Sequence, residues 1–76
     1  MGWKLEQESD GQWRWAIFQS AYGAAGGHEA TREAAIVEMV IAEAAIYEHP
    51  IPPSVREMMR ANPEKVAADY ESSGDT

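Results

Sequence analysis

A chain of 76 residues forms one domain at most, and folding at that size buries only roughly 60–65% of the unfolded surface, so its margin of stability is thin. The absence of cysteine excludes disulfide staples, thiolate zinc ligands and a cysteine nucleophile, and sets the expectation of a cytoplasmic protein. Thirteen acidic residues against six basic ones give a net charge of -7, which disfavours direct contact with nucleic acid, whose phosphates are held through Lys and Arg.

No apolar run reaches the roughly 18–20 residues of a membrane span, and the amino end lacks the basic segment and apolar core of a secretory signal, so no membrane association is expected. A single domain is expected over residues 1–71, with "SSGDT" at 72–76 frayed.

Two strands come first, over residues 3–8 and 12–18, rich in Trp, Ile and Phe and joined across Asp10-Gly11. A two-residue loop would pair Glu8 with Trp13 and mix charge with aromatics on one face. A three-residue loop, Ser9-Asp10-Gly11, instead pairs Glu8 with Gln12, Glu6 with Arg14 and Leu5 with Trp15. Trp3, Leu5, Gln7, Trp13, Trp15 and Ile17 then share the core face, while Lys4, Glu6, Glu8, Arg14 and Ala16 share the other. Gly11 closes this turn in the left-handed region, and Glu6 becomes a cross-strand partner for Arg14.

The segment "SAYGAAGGHEA", residues 20–30, has three glycines and no large aliphatic side chain, which permits either a loop or, after a turn at Ser20 to Gly23, a short third strand over Ala24 to Glu29; the strand is favoured slightly. Gly26-Gly27 lacks the spacing and the following Lys of a phosphate-binding loop.

Thr31 caps the helix that follows, "REAAIVEMVIAEAAIYE", which is expected to run to Glu48, where His49-Pro50 ends it. At 100° per residue its large apolar side chains cover an arc of roughly 220°, about twice what a small sheet needs. The carboxyl-terminal segment is the first candidate to cover the surplus, with a homodimer second. It begins with a capping box, Ser54 to Glu57, and restarts at Asn62-Pro63, with Asn as cap and Pro in the first helical position. Met58 and Met59 are expected to fill the gap under the long helix.

Catalytic groups are sparse. His28 and His49 lack a second ligand at helical metal-site spacing, and none of the five serines sits in a nucleophile elbow, so no enzyme activity, metal or cofactor is expected. Glu43 projects from the apolar arc, where Arg32 or another basic residue is the expected counter-ion. Residues 28–49 alone carry a net charge of -4, and Glu29, Glu33, Glu38, Glu43 and Glu48 recur at four- or five-residue steps, about 6–7.5 Å of helical rise. Such carboxylates can compete for the Arg and Lys of a nucleic-acid-binding groove, although they spiral around the helix rather than forming a stripe.

A hairpin "WKLEQESDGQWRWAIF", a small-residue linker "GAAGGHEATREAA" and one Ala/Glu-rich helix resemble the small phage-borne proteins of the anti-CRISPR type in architecture and charge over residues 3–48. The resemblance implies a compact sheet-plus-helix module that binds a CRISPR effector and blocks its DNA recognition or its nuclease. It transfers no site residue. Two strands followed by "TREAA" are also similar to HicB-type antitoxins, without their glycine-threonine helix entry or a DNA-binding appendix. The expectation is therefore an α+β protein, an antiparallel hairpin or three-stranded meander on one long helix with short carboxyl-terminal helices. It would inhibit a basic nucleic-acid-binding protein complex, with an antitoxin-like module or a homodimeric structural protein as alternatives. The candidate contact residues are Glu6, Glu8, Asp10 and Arg14 on the hairpin, with Glu29, Glu33, Glu38 and Glu43 on the acidic segment.

Overall fold

A computed structural model of the chain describes residues 2–19 and 23–74. Three strands, β1 (Gly2–Gln7), β2 (Trp13–Gln19) and β3 (Gly23–Glu29), form an antiparallel meander in the order β1-β2-β3, and three helices follow, α1 (Arg32–Ile46), α2 (Pro53–Ala61) and α3 (Pro63–Gly74). The architecture is α+β. Of the turn expected at Ser20 to Gly23, residues 20–22 lie outside the described residues.

The hairpin takes the register that separates polar from apolar side chains: Glu6 faces Arg14, Leu5 faces Trp15 and Gln7 faces Trp13. Its turn is the three-residue one. The Glu8 amide donates to the Gln12 carbonyl at 2.7 Å, the Gly11 amide donates to the Glu8 carbonyl at 3.0 Å, and Gly11 has φ 91°. Asp10 Oδ1 accepts from the Gln12 amide at 3.0 Å, so this carboxylate shapes the loop.

The glycine-rich segment is a strand because of what lies across from it. Gly27 stands opposite Trp15, and a Cβ on Gly27 would come within 3.1 Å of the Trp15 indole Nε1. The missing side chain makes room for the indole to lie over β3, where Nε1 donates to Glu29 Oε2 at 3.4 Å. Trp15 retains 7% of its exposure and packs with Ile17, Ala35 and Met39, around which Leu5, Trp13, Ala25, Ala42, Ile46 and Tyr70 are half-buried. Removing a buried tryptophan costs about 3–5 kcal/mol, a large part of the roughly 5–15 kcal/mol that holds a native protein. Trp3 departs from its expected place in the core: it shares that face but is 52% exposed, because α1 lies chiefly over β2 and β3 and leaves the β1 edge little covered.

Thr31 caps α1, its Oγ1 accepting from the Ala34 amide at 3.1 Å. The helix stops at Ile46, short of the expected Glu48. There the Glu48 amide donates to the Ala45 carbonyl at 3.1 Å and the His49 amide to the Ala44 carbonyl at 2.9 Å, the paired bonds of a Schellman closure. Glu48 occupies the left-handed position with φ 63°, where glycine is the usual residue. Chain reversal is thus complete before Pro50.

Much of the surplus apolar arc of α1 is covered from within the chain, while Val40 and Ile41 are half-buried and Tyr47 is exposed. Ile36 and Val37 are each 1% exposed, and α3 packs along α1 with Ala67 buried and Val66 and Tyr70 half-buried. α2 starts differently from its sequence pattern. Pro53 takes the first helical position behind Pro52, no side chain caps the start, and Ser54 falls inside the helix, so the Ser54–Glu57 capping box does not form. Asn62 precedes α3, but its Nδ2 donates backward to the Met58 carbonyl at 3.1 Å, closing α2 instead of opening α3. Met58 is 64% exposed, so of the two methionines only Met59, half-buried, packs inward. α3 carries the segment expected to fray from residue 72 as far as Gly74; residues 75 and 76 lie outside the described residues. Among the described residues no helix is long and apolar enough to cross a membrane.

Two substitutions test this account of the fold. Gly27→Ala forces its methyl against an indole already held by α1 and is expected to destabilise the domain by about 1–3 kcal/mol in denaturant unfolding. Glu48→Gly relieves the left-handed backbone and is expected to stabilise by about 1 kcal/mol, raising Tm by roughly 4–8 °C.

Candidate contact surfaces

Alternation along the strands places the candidate residues of the hairpin on the face opposite α1. Lys4, Glu6, Arg14, Ala16 and Phe18 line a shallow depression of about 60 Å³ on this outer face. Phe18 is 56% exposed there, with Gly2 and Ala24 opposite it on the neighbouring strands and Lys4, Glu6 and Arg14 farther along the same face. Glu8 Oε1 lies 3.2 Å from His28 Nε2, a contact that reaches from the end of β1 across to β3. Arg14 stands between Glu6 on one neighbouring strand and His28 on the other. The ion pair that Glu6 forms is with Lys4 along its own strand, Nζ to Oε1 3.6 Å, rather than the expected one with Arg14. Spacing explains this: Lys4 and Glu6 are two apart and point the same way.

The acidic segment is organised differently. Arg60 grips Glu38 with two bonds, Nε to Oε2 at 2.8 Å and Nη2 to Oε1 at 2.9 Å, and Glu29 lies near enough to add to the field at the guanidinium. The hydrogen bonds that Arg60 donates to Glu38, then the Glu38 charge, raise the Arg60 pKa above the ordinary arginine value. Arg60, Glu29, Glu38, Ala34, Val37 and Pro63 surround a second depression of about 220 Å³ where the α2–α3 junction meets α1. Glu38 therefore ties α1 to α2 through Arg60, while Glu29 is bonded to the Trp15 indole. Arg32, the expected partner of Glu43, forms its ion pair with Glu71 of α3. Glu43 sits half-buried close to Tyr70, and burial first, then the Glu43 charge, pushes the Tyr70 hydroxyl pKa up from its ordinary value of 10.0. Glu33 is half-buried in the first turn of α1, where a carboxylate complements the helix dipole.

The structure thus brings Glu6, Glu8 and Arg14 together on one face, with Asp10 at the tip of the same hairpin. It sets Glu29 and Glu38 on the rim of one depression, where Arg60 bonds Glu38, and leaves Glu33 and Glu43 apart from both groups. Phe18 and His28 belong to the outer face and were missing from the sequence-based set. Phe18 was within reach of it, because it has the strand parity of Arg14 and Ala16. Arg60 was not, because a pairing across 22 residues leaves no local pattern. Among the described residues no cluster of three or more His, Asp or Glu is arranged to hold a metal ion. No family model, curated protein or solved structure matches this chain.

Tyr70 gives the fold a pH dependence of known sign. A hydroxyl whose pKa is raised by folding contributes stability that is whole below the unfolded value of 10.0 and is lost as pH rises through the folded pKa. Thermal unfolding followed above about pH 9 is expected to show Tm falling with pH, and Tyr70→Phe is expected to lessen that fall.

Proposed function

We propose that this chain acts by binding another protein through the open face of its sheet, and that it is an inhibitor of the anti-CRISPR type directed at a basic, nucleic-acid-binding effector. The observation that carries the proposal is the exposed Phe18 in a mixed-charge face, with α1 packed on the opposite side. An exposed aromatic beside a group of charges is the composition of a contact surface, where the apolar residue supplies affinity and the charges supply orientation. The net charge of -7 supports a basic partner, because it speeds encounter with a positive groove and repels nucleic acid itself.

The contact then lies away from the carboxylates of the acidic segment. Glu38 is bonded to Arg60 and Glu29 to the Trp15 indole, so presenting them to a partner would cost existing bonds. Glu6, Glu8 and Arg14 can contribute without disturbing the core. The role is non-catalytic and carried out in the cytoplasm of the cell that holds the effector.

Binding of the purified chain to a CRISPR effector complex is the direct test. The complex is expected to weaken as salt rises, and Phe18→Ala, or Glu6→Lys together with Glu8→Lys, is expected to reduce affinity roughly tenfold or more. Glu64→Lys, on the helical side, is expected to change it far less. Affinity unmoved by the Phe18 and Glu6/Glu8 variants, or no binding at all, contradicts the proposal.

A further inference from the structure

β1 is an edge strand, and its free side is defined by the hairpin bond. The Glu8 amide points across to Gln12, so the alternation of an antiparallel ladder turns the backbone groups of Gly2, Lys4 and Glu6 toward β2. The N–H and C=O groups of Trp3, Leu5 and Gln7 therefore face outward, away from the sheet. Such an edge is a template for another strand unless something blunts it. β1 has no proline, its register with β2 runs without a bulge, and among the described residues α1 is the only helix that approaches it. Trp3, 52% exposed on the core side of this edge, is an apolar group left without a cover.

We propose that β1 pairs antiparallel with β1 of a second copy of this chain, about a two-fold axis through Leu5, joining the two sheets into one. In this register Leu5 faces Leu5 of the second copy, Trp3 faces Gln7 and Lys4 faces Glu6. Each outward-facing pair exchanges two backbone hydrogen bonds. Trp3 comes diagonally beside Leu5 of the second copy, within reach of an aromatic side chain, so the apolar seam of one sheet continues into the other. On the outer face, Lys4 and Glu6 meet their opposites in both directions across the axis.

The charge pattern selects this register from its neighbours. Sliding by two residues keeps outward groups facing outward but sets Lys4 against Lys4, or Glu6 against Glu6, at the axis. Sliding by one sets outward backbone groups against inward ones and joins the core face of one sheet to the polar face of the other. The segment "KLE" is self-complementary about Leu5, which is what an isologous interface requires. The inference is independent of any partner of the outer face, which the joined sheet would present twice.

The test uses purified protein alone, with mass followed by light scattering or sedimentation over a range of concentrations. The wild-type mass is expected to rise toward twice that of one chain. Lys4→Glu and Glu6→Lys each set like charges across the axis and are expected to weaken self-association roughly tenfold. An equimolar mixture of the two variants is expected to regain it, because each supplies the charge the other lacks. Both side chains are exposed, so circular dichroism is expected to show the variants folded. A wild-type mass that stays at one chain throughout overturns the proposal; so do single variants that associate like wild type, or a mixture that associates no better than either variant alone.

Discussion

The Trp15 indole lying over Gly27 is the contact on which the rest of the molecule depends. A small sheet whose third strand has five glycines and alanines among seven residues has little of its own to bury. One large aromatic from the middle strand supplies that surface instead, reaching across β3 and presenting its other side to Ala35 and Met39 of α1. Its N–H is satisfied by Glu29, the last residue of β3, so the same side chain ties strand, core and the approach to α1 together. Small residues on α1 at Ala35 and Ala42 let the helix come close to the sheet, which is how so short a chain reaches a closed core.

Once α1 is committed to the sheet on one side and to α3 on the other, its carboxylates are constrained by packing. The bidentate Arg60–Glu38 contact and the Arg32–Glu71 pair join α1 to the helices that follow. Acidic residues that look like a repeating ladder in sequence therefore serve separate ends. The outer sheet face around Phe18 and the edge of β1 are left open.

The hairpin was readable from the sequence because its constraint is local. A period of two admits one register that sorts Trp and Leu from Glu and Arg, and Gly11 allows the turn that register needs. Thr31 was equally plain as a cap. The misplacements arise where a distant contact, or a competing local one, outranks the pattern. Trp3 has the parity of a core residue, but whether a helix reaches the edge strand is a tertiary matter. Pro53 overrides the Ser54–Glu57 box by starting the helix two residues earlier, and Glu48 reverses the chain ahead of Pro50. Of the candidate site, the hairpin residues could be grouped by parity. The fate of Glu38 could not, since it rests on an arginine far along the chain.

A domain of this design divides its sheet into a face fixed by Trp15 and a face free to make contacts, and the functional proposals stand on that division. The most direct measurement is a set of nuclear Overhauser contacts from the Trp15 indole. The account predicts contacts to the Gly27 α-protons and to the side chains of Ala35 and Met39, with the Gly27 resonances displaced by the ring current. An indole without contacts to Gly27, beside a Gly23–Glu29 segment whose amides exchange as freely as a loop, would contradict it.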